Sequence, residues 1–425
     1  MTRTPTTPTA ARRIPGASSS ALARSIEPVE ANEFLDDYWG WRPLVVERKE
    51  PGRYDDLLSE ADVERLVCSS GLRHPGFRLV KAGEKIQLAD YTATIPWRPT
   101  PFSGTADVER IAAAFADGAT IVLQGLHHHW LPLAVFSRGL EDELGHPVQA
   151  NAYYTPRDSQ GLAVHHDTHD VFVLQVAGEK RWLVYEPVLE LPLKDQRYSK
   201  EMGDPRETVH DVTLGPGDLL YLPRGWLHQA LTSETDSLHL TIGVNVYTWL
   251  DAFRGAVESL ADDVELRRSV PDDGDGAEAL LERLAERLRP DAVAERRRRR
   301  FVKGRRPILD GQLSQLVALQ DLTPETEVER RPTVIADLEA PDGSVMLVFE
   351  GKRIVFPAHA REAVEHAATA DRPFSPDDLP GLDEAGQLVL VRRLVREGFL
   401  RLTKVRAPGA SPRSGEDASA SPPRT

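Results

Sequence analysis

The hydrophobic and polar positions of this chain change period along its length, and the clearest strand-like stretch lies near its middle. Val171 to Val176 reads Val-Phe-Val-Leu-Gln-Val, and Trp182 to Tyr185 follows it after a turn at Gly178-Glu179-Lys180. Leu219 to Leu222 is a third apolar run, and it lies between two glycine-containing turns. Short runs of β-branched and aromatic residues bounded by turns predict antiparallel strands. Hairpins of this kind, taken together, predict a small β-barrel.

Helical periods dominate on both sides of this region. Apolar residues recur at three- and four-residue intervals, and residues suited to the ends of helices stand at several boundaries. Ser59 is a candidate N-cap and Gly145 a candidate C-cap. The pattern predicts helices over Ala31–Tyr38, Ser59–Ser69, Ala106–Ala116, Leu131–Leu144, Trp249–Leu260, Ala277–Leu288, Ala358–Ala368 and Glu384–Glu397. It also predicts strands within Trp41–Val46, Phe77–Tyr91, Thr120–Gly125 and Phe399–Leu402, and a hairpin over Val345–Phe356.

Composition narrows the class of protein. The chain has 425 residues, of which 40% are hydrophobic and 28% charged, as in a globular protein of two or three domains. No apolar run is long enough to span a membrane, and we expect no secretory signal. The single cysteine, Cys68, excludes an internal disulfide and fits a cytoplasmic location. The net charge of −14 disfavours broad nucleic-acid binding.

Candidate metal chemistry lies just before the first strand. His165 and Asp167 are separated by one residue, so on a strand both side chains would point to the same face. His228 follows the later Pro223–Gly225 turn. Two histidines and one carboxylate make the ligand set of the facial triad that holds Fe(II) and leaves positions open for other ligands. His166 and His169 are local alternatives, and His127–His129 is a second histidine-rich tract.

Several motifs surround these residues and occur together as a specific set. With them the chain resembles the JmjC-type ribosomal oxygenases, which are cupin-like 2-oxoglutarate dioxygenases that hydroxylate ribosomal proteins. The likeness extends from about Phe34 to about Val405. The motifs are Asn151-Ala-Tyr153-Tyr-Thr-Pro, Ser159-Gln-Gly161, His165-x-Asp167, Asp170-Val-Phe-Val-Leu-Gln175, Gly178-x-Lys180-x-Trp182, Gly217-Asp218-x-x-Tyr221-x-Pro223-x-Gly225-x-x-His228 and Ser237-Leu-His239-Leu-Thr241.

The resemblance implies roles for individual residues. Fe(II) would be held by His165, Asp167 and His228, with 2-oxoglutarate and O2 as co-substrates. Lys180 stands where the family carries the cation that pairs with the distal carboxylate of 2-oxoglutarate. The family places no ligand at His169, and its histidine-rich loop lies away from the iron. The other expected co-substrate contacts are Asn151, Tyr153, Thr241 and Asn245.

The resemblance also implies a mixed α+β architecture: a double-stranded β-helix, then a helical dimerisation segment, then a C-terminal winged helix. We therefore expect a homodimer. The predicted divisions are a disordered tail over 1–25, a catalytic domain over 26–248, the helical segment over 249–320, the winged helix over 321–405 and a second disordered tail over 406–425.

The predicted function is hydroxylation of a protein side chain, with Arg or His of a ribosomal protein as the candidate target. One alternative is a small-molecule 2-oxoglutarate oxygenase of secondary metabolism. Another is a cupin-like binding or regulatory protein without catalysis. The basic stretch Arg296–Arg306 leaves two interpretations open, a solvated or intersubunit face and a contact with nucleic acid.

Overall fold

A computed structural model describes residues 12–14, 20–231, 234–340 and 343–404 of the chain. The chain divides into two compact units: Ser18–Ile308 forms one, and Leu309–Thr425 together with Met1–Ala17 forms the other. The finer predicted boundaries, after residues 248 and 320, stay predictions.

The described helices and strands follow in chain order. The helices are α1 (Ala21–Ile26), α2 (Ala31–Asp37), α3 (Glu60–Ser69), α4 (Val108–Ala116), α5 (Leu131–Leu144), α6 (Trp249–Glu258), α7 (Ala277–Arg287), α8 (Pro290–Lys303), α9 (Gln312–Ala318), α10 (Arg361–Thr369) and α11 (Glu384–Glu397). The strands are β1 (Arg12–Ile14), β2 (Leu44–Val46), β3 (Phe77–Val80), β4 (Thr92–Ile95), β5 (Phe102–Ala106), β6 (Thr120–Leu123), β7 (Val148–Thr155), β8 (Asp170–Gly178), β9 (Lys180–Tyr185), β10 (Thr208–Leu214), β11 (Leu219–Leu222), β12 (Leu227–Leu231), β13 (Ser237–Val244), β14 (Val328–Arg330), β15 (Ala336–Glu339), β16 (Val345–Phe349), β17 (Lys352–Phe356) and β18 (Leu400–Leu402).

Two antiparallel sheets form the centre of the first unit. The larger has seven strands in the order β2-β11-β8-β13-β7-β6-β3, and the smaller has three in the order β10-β9-β12. Val173 of the large sheet and Trp182 of the small sheet belong to one buried cluster, so the two sheets face each other. Two facing antiparallel sheets are the arrangement expected of a double-stranded β-helix.

Strand β13 shows how the sequence directs one set of side chains outward to the helices and another inward. Leu238, Leu240 and Ile242 lie in the large core cluster shared with the helices. His239 and Thr241 alternate with them and line the cavity between the sheets. All eight residues of β13 are buried, because both faces of the strand are covered. The period of two thus places the polar side chains of an apolar strand inside the barrel.

The helices of the first unit begin and end largely where the sequence predicts. Ser59 accepts from the backbone N–H of Asp62 while the Asp62 carboxylate accepts from that of Ser59, which is a complete capping box at the start of α3. Gly145 ends α5 in the left-handed conformation, with φ of 67°. These two predictions are confirmed.

One prediction about the N-terminal part is wrong. The sequence predicts disorder over 1–25, but α1 begins at Ala21 and buries Leu22 and Ile26. This short apolar segment is ordered by burial against the rest of the unit, which local periodicity does not report. Strands were predicted within Phe77–Tyr91, and the structure has one there, β3, which ends at Val80.

The second unit contains a four-stranded antiparallel sheet, β1-β15-β16-β17, and a two-stranded one, β14-β18. The predicted hairpin is confirmed: Val345 pairs with Phe356 and Phe349 with Lys352. Helix α11 matches its predicted bounds and ends at Gly398, which has φ of 82°. Helices α10 and α11 pack with the four-stranded sheet around one core. The winged-helix assignment stays a prediction, and the tail over 406–425 lies outside the described residues.

None of the helices in the described part of the chain combines the length and apolar character that crossing a bilayer requires.

Candidate metal centre

The three predicted ligands come together at the end of the barrel. Ligand atoms of His165, Asp167 and His228 all lie within 4.8 Å of one another, and this is the group in the described residues able to hold a metal ion. The sequence pattern predicted that His165 and Asp167 lie on a regular strand. They do not. His165 instead forms an isolated antiparallel bridge with His228, through N–H···O bonds of 3.1 and 2.8 Å. This bridge, together with the turn after it, brings the distant ligand into place.

Backbone carbonyls hold both imidazoles in the tautomer that a metal requires. Nδ1 of His165 donates to the Ala163 carbonyl at 2.9 Å, and Nδ1 of His228 donates to the Trp226 carbonyl at 3.0 Å. Each imidazole therefore keeps the lone pair on Nε2. Nε2 of His228 lies 3.8 Å from Oδ2 of Asp167. Two imidazole nitrogens and one carboxylate oxygen thus converge on one point.

Electrostatics also favours the ligand forms of these side chains. Burial, with a smaller contribution from the nearby His165, lowers the pKa of His228 to about 4. Burial alone would raise the pKa of Asp167, but the surrounding imidazoles, His169 and His228 foremost, bring it below its usual value. A neutral imidazole and an ionised carboxylate are the states that bind a metal cation.

A buried network supports the ligand loop from behind. The N–H of Gly225 donates to the carbonyl of Asp167 at 3.0 Å. The fully buried Asp170 carboxylate accepts from the Tyr221 hydroxyl at 2.7 Å and from the Arg224 guanidinium at 3.1 Å. The two turns that carry the ligands are therefore tied to each other and to the large sheet.

The ligands open onto a cavity of about 60 Å³, which has room for several water molecules or a small ligand. Lys180 lines this cavity and is only 4% exposed, because it begins β9 with its side chain on the inward face beside Trp182. Its ammonium donates to Oγ1 of Thr155 at 2.8 Å. Burial lowers the pKa of Lys180 to about 7. A buried ammonium with so little compensation calls for an anionic ligand.

Aromatic rings form another wall of the cavity. The rings of Tyr153 and His239 stack with centroids 5.0 Å apart and planes 2° apart, and Trp182 meets His239 edge-on at 5.5 Å. Burial raises the pKa of Tyr153 to about 12, so its phenol stays protonated. Thr241 also lines the cavity. The sequence motif contained His239 without assigning it a role; a histidine in an otherwise apolar strand was the available signal.

The other two predicted co-substrate contacts do not line the cavity, although one of them, Asn151, lies opposite Thr241 in the sheet. Asn151 is on the same face of β7 as Tyr153, but its side-chain oxygen accepts from the N–H of Gly125 at 2.9 Å. Asn245 follows β13, and its N–H donates to the Pro147 carbonyl. Neither side chain is among those that line the cavity. The structure therefore places Lys180, Tyr153 and Thr241 with the ligands and not these two residues.

The other histidines have structural contacts. Nδ1 of His127 accepts from the N–H of Ala150 at 3.0 Å, and burial lowers its pKa to about 4. Nε2 of His169 accepts from the Gln149 amide at 3.2 Å. Among the residues that the structure describes, neither His127–His129 nor His169 belongs to a group able to hold a metal.

The basic stretch Arg296–Arg306 makes many contacts within its own unit. Arg297 donates to the carbonyl of Gly145 at the end of α5, and Arg300 lies over the ring of Tyr247 at 5.0 Å. Arg305 forms a buried ion pair with Glu141. These contacts favour a structural role for the stretch, which holds α8 against α5; nucleic-acid contact stays a prediction.

Known proteins resemble this chain in sequence over part of its length. Residues 132–252 match the JmjC domain family. The chain is 33% identical over 224 residues to a bifunctional lysine-specific demethylase and histidyl-hydroxylase NO66 of Drosophila persimilis, covering 52% of this chain and 31% of that protein. It is 34% identical over 269 residues to ribosomal oxygenase 2 of Rattus norvegicus, covering 60% of this chain and 54% of that protein. The chain thus spans about a third to a half of the length of these relatives.

The fold has a solved counterpart. The ribosomal oxygenase YcfD of Escherichia coli, in complex with cobalt and 2-oxoglutarate, superposes with a TM-score of 0.54 at 18% identity. The match covers 89% of this chain and 99% of that one, so the likeness of fold extends beyond the JmjC domain. The chain therefore carries a JmjC domain with a cupin-like fold and is similar in sequence and fold to the ribosomal oxygenases.

Proposed function

We propose that this protein is an Fe(II)- and 2-oxoglutarate-dependent oxygenase that hydroxylates a side chain of another protein. A single observation carries the proposal: His165, Asp167 and His228 converge at one end of a cavity in which Lys180 is buried. A facial set of two imidazoles and a carboxylate is the ligand set of non-haem Fe(II) oxygenases that need open positions.

The residues of the site fit both Fe(II) and 2-oxoglutarate. The three ligands are one carboxylate and two imidazoles with Nε2 available, and they include no thiolate, which favours Fe(II) over a structural zinc. Lys180 has one acceptor among the described residues, Thr155, although an ammonium carries three N–H donors. A distal carboxylate of 2-oxoglutarate would accept from the others and neutralise the buried charge.

The protein would orient the co-substrate, supply a positive charge to it and exclude water from the cavity. When bound, the metal and 2-oxoglutarate would supply O2 activation for insertion of oxygen into a C–H bond. Lys180 and Thr241 line the cavity where the co-substrate would lie, and Lys180 would orient it through its carboxylate. Trp182 and the Tyr153–His239 stack exclude water from the same space. Asp167 occupies the carboxylate position of the triad, which favours hydroxylation over halogenation.

The proposed substrate is a ribosomal protein, at an Arg or His side chain. The names of the relatives support this class, since two describe ribosomal oxygenases and one a histidyl-hydroxylase. The same relative is also described as a lysine-specific demethylase, so the two outcomes need to be distinguished. We also propose a cytoplasmic location, which a single exposed cysteine, Cys68, fits.

The test is to incubate the Fe(II)-loaded protein and 2-oxoglutarate with purified ribosomal proteins and to follow peptide masses and succinate together. Hydroxylation adds the mass of one oxygen atom to one peptide and forms succinate in proportion. Loss of a methyl mass would indicate demethylation instead. Succinate formed only with small-molecule candidates would favour the small-molecule oxygenase, and no binding of 2-oxoglutarate at all would favour a non-catalytic cupin-like protein.

We also propose a homodimer formed through the helical segment. Helix α6 exposes Trp249, Phe253 and Val257, which are 72%, 48% and 58% exposed in the single chain. These positions are four residues apart and lie on one side of the helix. An exposed apolar stripe of this kind is typical of a protein interface.

A further inference from the structure

Two polar side chains meet at the end of the barrel where the metal ligands lie. The amide of Gln149, near the start of β7, donates at 3.2 Å to Nε2 of His169, which follows the ligand Asp167 closely in the chain. Both residues are only partly buried, and neither lines the cavity that contains Lys180. Within the part of the chain that the structure describes, this is the one hydrogen bond that either side chain makes. The pair therefore keeps hydrogen-bonding groups available to a ligand.

Strand register places Gln149 on the inner face of the barrel but far from Lys180. Gln149 alternates with Val148 and Ala150, which belong to the large core cluster on the outer face. Thr155, which accepts from the ammonium of Lys180, ends the same eight-residue strand. At about 3.3 Å per residue, Gln149 and Thr155 are roughly 20 Å apart. A co-substrate bound at Lys180 would therefore leave Gln149 and His169 accessible to another molecule.

The absence of a side chain at Gly243 makes room for the imidazole of His169. Gly243 of β13 pairs with Gln149 of β7 and with Val171 of β8. A Cβ on Gly243 would lie 2.4 Å from Cδ2 and 2.6 Å from Nε2 of His169, which is closer than atoms can approach. The ring thus fills the space over the glycine while the amide of Gln149 holds its edge. A group whose direction is set before a ligand arrives loses little freedom on binding.

The pair of Gln149 and His169 offers both donors and an acceptor, without net charge. Because Nε2 of His169 accepts from the amide, the neutral imidazole carries its proton on Nδ1, which can donate. The amide of Gln149 keeps its second N–H and its carbonyl oxygen. A carboxylate or a phosphate would use the donors alone, and a guanidinium would use the acceptor alone. A peptide group has one C=O and one N–H, so it can use both kinds.

We propose that Gln149 and His169 hydrogen-bond a main-chain peptide group of the protein substrate, next to the residue that is hydroxylated. The inference rests on the proposed function and deepens it, because it names the part of the substrate that this end of the barrel recognises. The two side chains are then substrate-binding residues, separate from the metal ligands and from the co-substrate contacts.

The experiment measures hydroxylation of a synthetic peptide that spans the site found in the ribosomal proteins, with the full chain, Fe(II) and 2-oxoglutarate. Gln149→Leu keeps a similar volume and removes the amide, and His169→Phe keeps a flat ring and removes both nitrogens. His359→Phe, at an exposed histidine of the second unit, is the matched control. We expect kcat/KM for the peptide to fall about tenfold in each of the first two variants, because hydrogen bonds to the substrate are lost. The control should match wild type.

Methylated peptides separate a main-chain contact from a side-chain contact. Two peptides carry a methyl group on one or the other of the amide nitrogens that flank the target residue. With wild type, one of the two should lose about tenfold in kcat/KM. With Gln149→Leu, the same peptide should show little further loss, because the methyl group and the substitution remove the same interaction. Binding of Co(II) and of 2-oxoglutarate should be the same in Gln149→Leu as in wild type.

Each outcome decides the matter. Unchanged kcat/KM in Gln149→Leu and His169→Phe overturns the inference, and so do losses from methylation and substitution that simply add for both peptides. If His169→Phe does not fold, Gln149→Leu, on a different strand, supplies the test with the methylated peptides. If wild type hydroxylates no ribosomal protein, the proposed function fails and the inference fails with it. An active wild type with insensitive variants overturns the inference alone.

Discussion

Replacing Lys180 by Met should stabilise the ligand-free protein while weakening its binding of 2-oxoglutarate. The lysine is 4% exposed, and its pKa falls from 10.5 to about 7 on burial. At about 1.4 kcal/mol per pKa unit, the charged form carries a cost of about 5 kcal/mol in the folded state. Methionine has a similar shape and no charge, so it fills the same space without that cost.

The gain in folding stability from Lys180→Met should decrease as the pH rises. Between about pH 7 and pH 10.5 the unfolded chain holds a proton on Lys180 that the folded chain releases, so wild-type stability rises with pH by up to about 1.4 kcal/mol per unit. Lys180→Met lacks this contribution. Its advantage is therefore full below about pH 7 and lost by about pH 10.5. Losing the bond to Thr155 offsets about 1 kcal/mol, which leaves a gain of about 2–4 kcal/mol at pH 7.

The assay is urea unfolding of the metal-free protein, followed by tryptophan fluorescence at pH 7 and pH 10. Lys85→Met removes an exposed lysine and serves as the matched control, with little change expected at either pH. In Co(II)-loaded samples of the same variants, the affinity for 2-oxoglutarate should fall about 10–100-fold in Lys180→Met only. A Lys180→Met protein that is less stable than wild type at pH 7, or whose gain does not shrink with pH, would refute the reasoning.

Three further predictions follow from other parts of the structure. His165→Ala or Asp167→Ala should abolish Co(II) binding, measured by visible absorption, with an unchanged circular dichroism spectrum; retained metal would rule out the ligand assignment. Light scattering at micromolar concentration should give the mass of a dimer. Replacing exposed apolar residues of the segment 249–320 by charged ones should reduce it to the mass of a monomer. A monomeric wild type would count against the interface. Arg305→Met should cost about 3 kcal/mol of unfolding free energy because it breaks a buried ion pair, whereas Arg299→Met, at a half-exposed pair, should cost less than about 1 kcal/mol; equal losses would contradict the buried role.

The site was predictable where its chemistry is local in sequence. His165 and Asp167 are two residues apart, and that spacing, with His228 after a turn, predicts the ligand set. The predicted strand was nevertheless wrong, because a single bridge to His228 orders the segment, and a bridge between distant residues leaves no periodic trace. The resemblance implied that Lys180, at the end of a predicted turn, reaches the co-substrate, and the inward face of β9 accounts for the burial of its side chain.

Most of the contacts that the sequence did not predict join residues that are far apart in the chain. The arginines of α8 and of the residues just after it have the pattern of a charged surface, because nothing local reveals that Arg305 contacts Glu141 or that Arg297 contacts the end of α5. Asn151 lies on the expected face of β7, yet a backbone N–H from another loop uses its side chain. Composition and spacing constrain which groups exist, whereas tertiary packing decides what each group contacts.

The bridge between His165 and His228 allows the rest of the loop system to vary without disturbing the metal ligands. The connection from β9 to β10, residues 186–207, lies within the interval that the bridge closes, and the carbonyl of Gln196 in it accepts a hydrogen bond from His166. Loop closure becomes costlier only slowly with length, by about 0.6 kcal/mol for each doubling. Insertions in this connection that keep the contacts of Gln196 with His166 and of Pro192 with Gly225 can therefore lengthen it while the two histidines keep their register. Length can in this way change between the ligands in sequence, over evolutionary time or by engineering, without a change in their pairing.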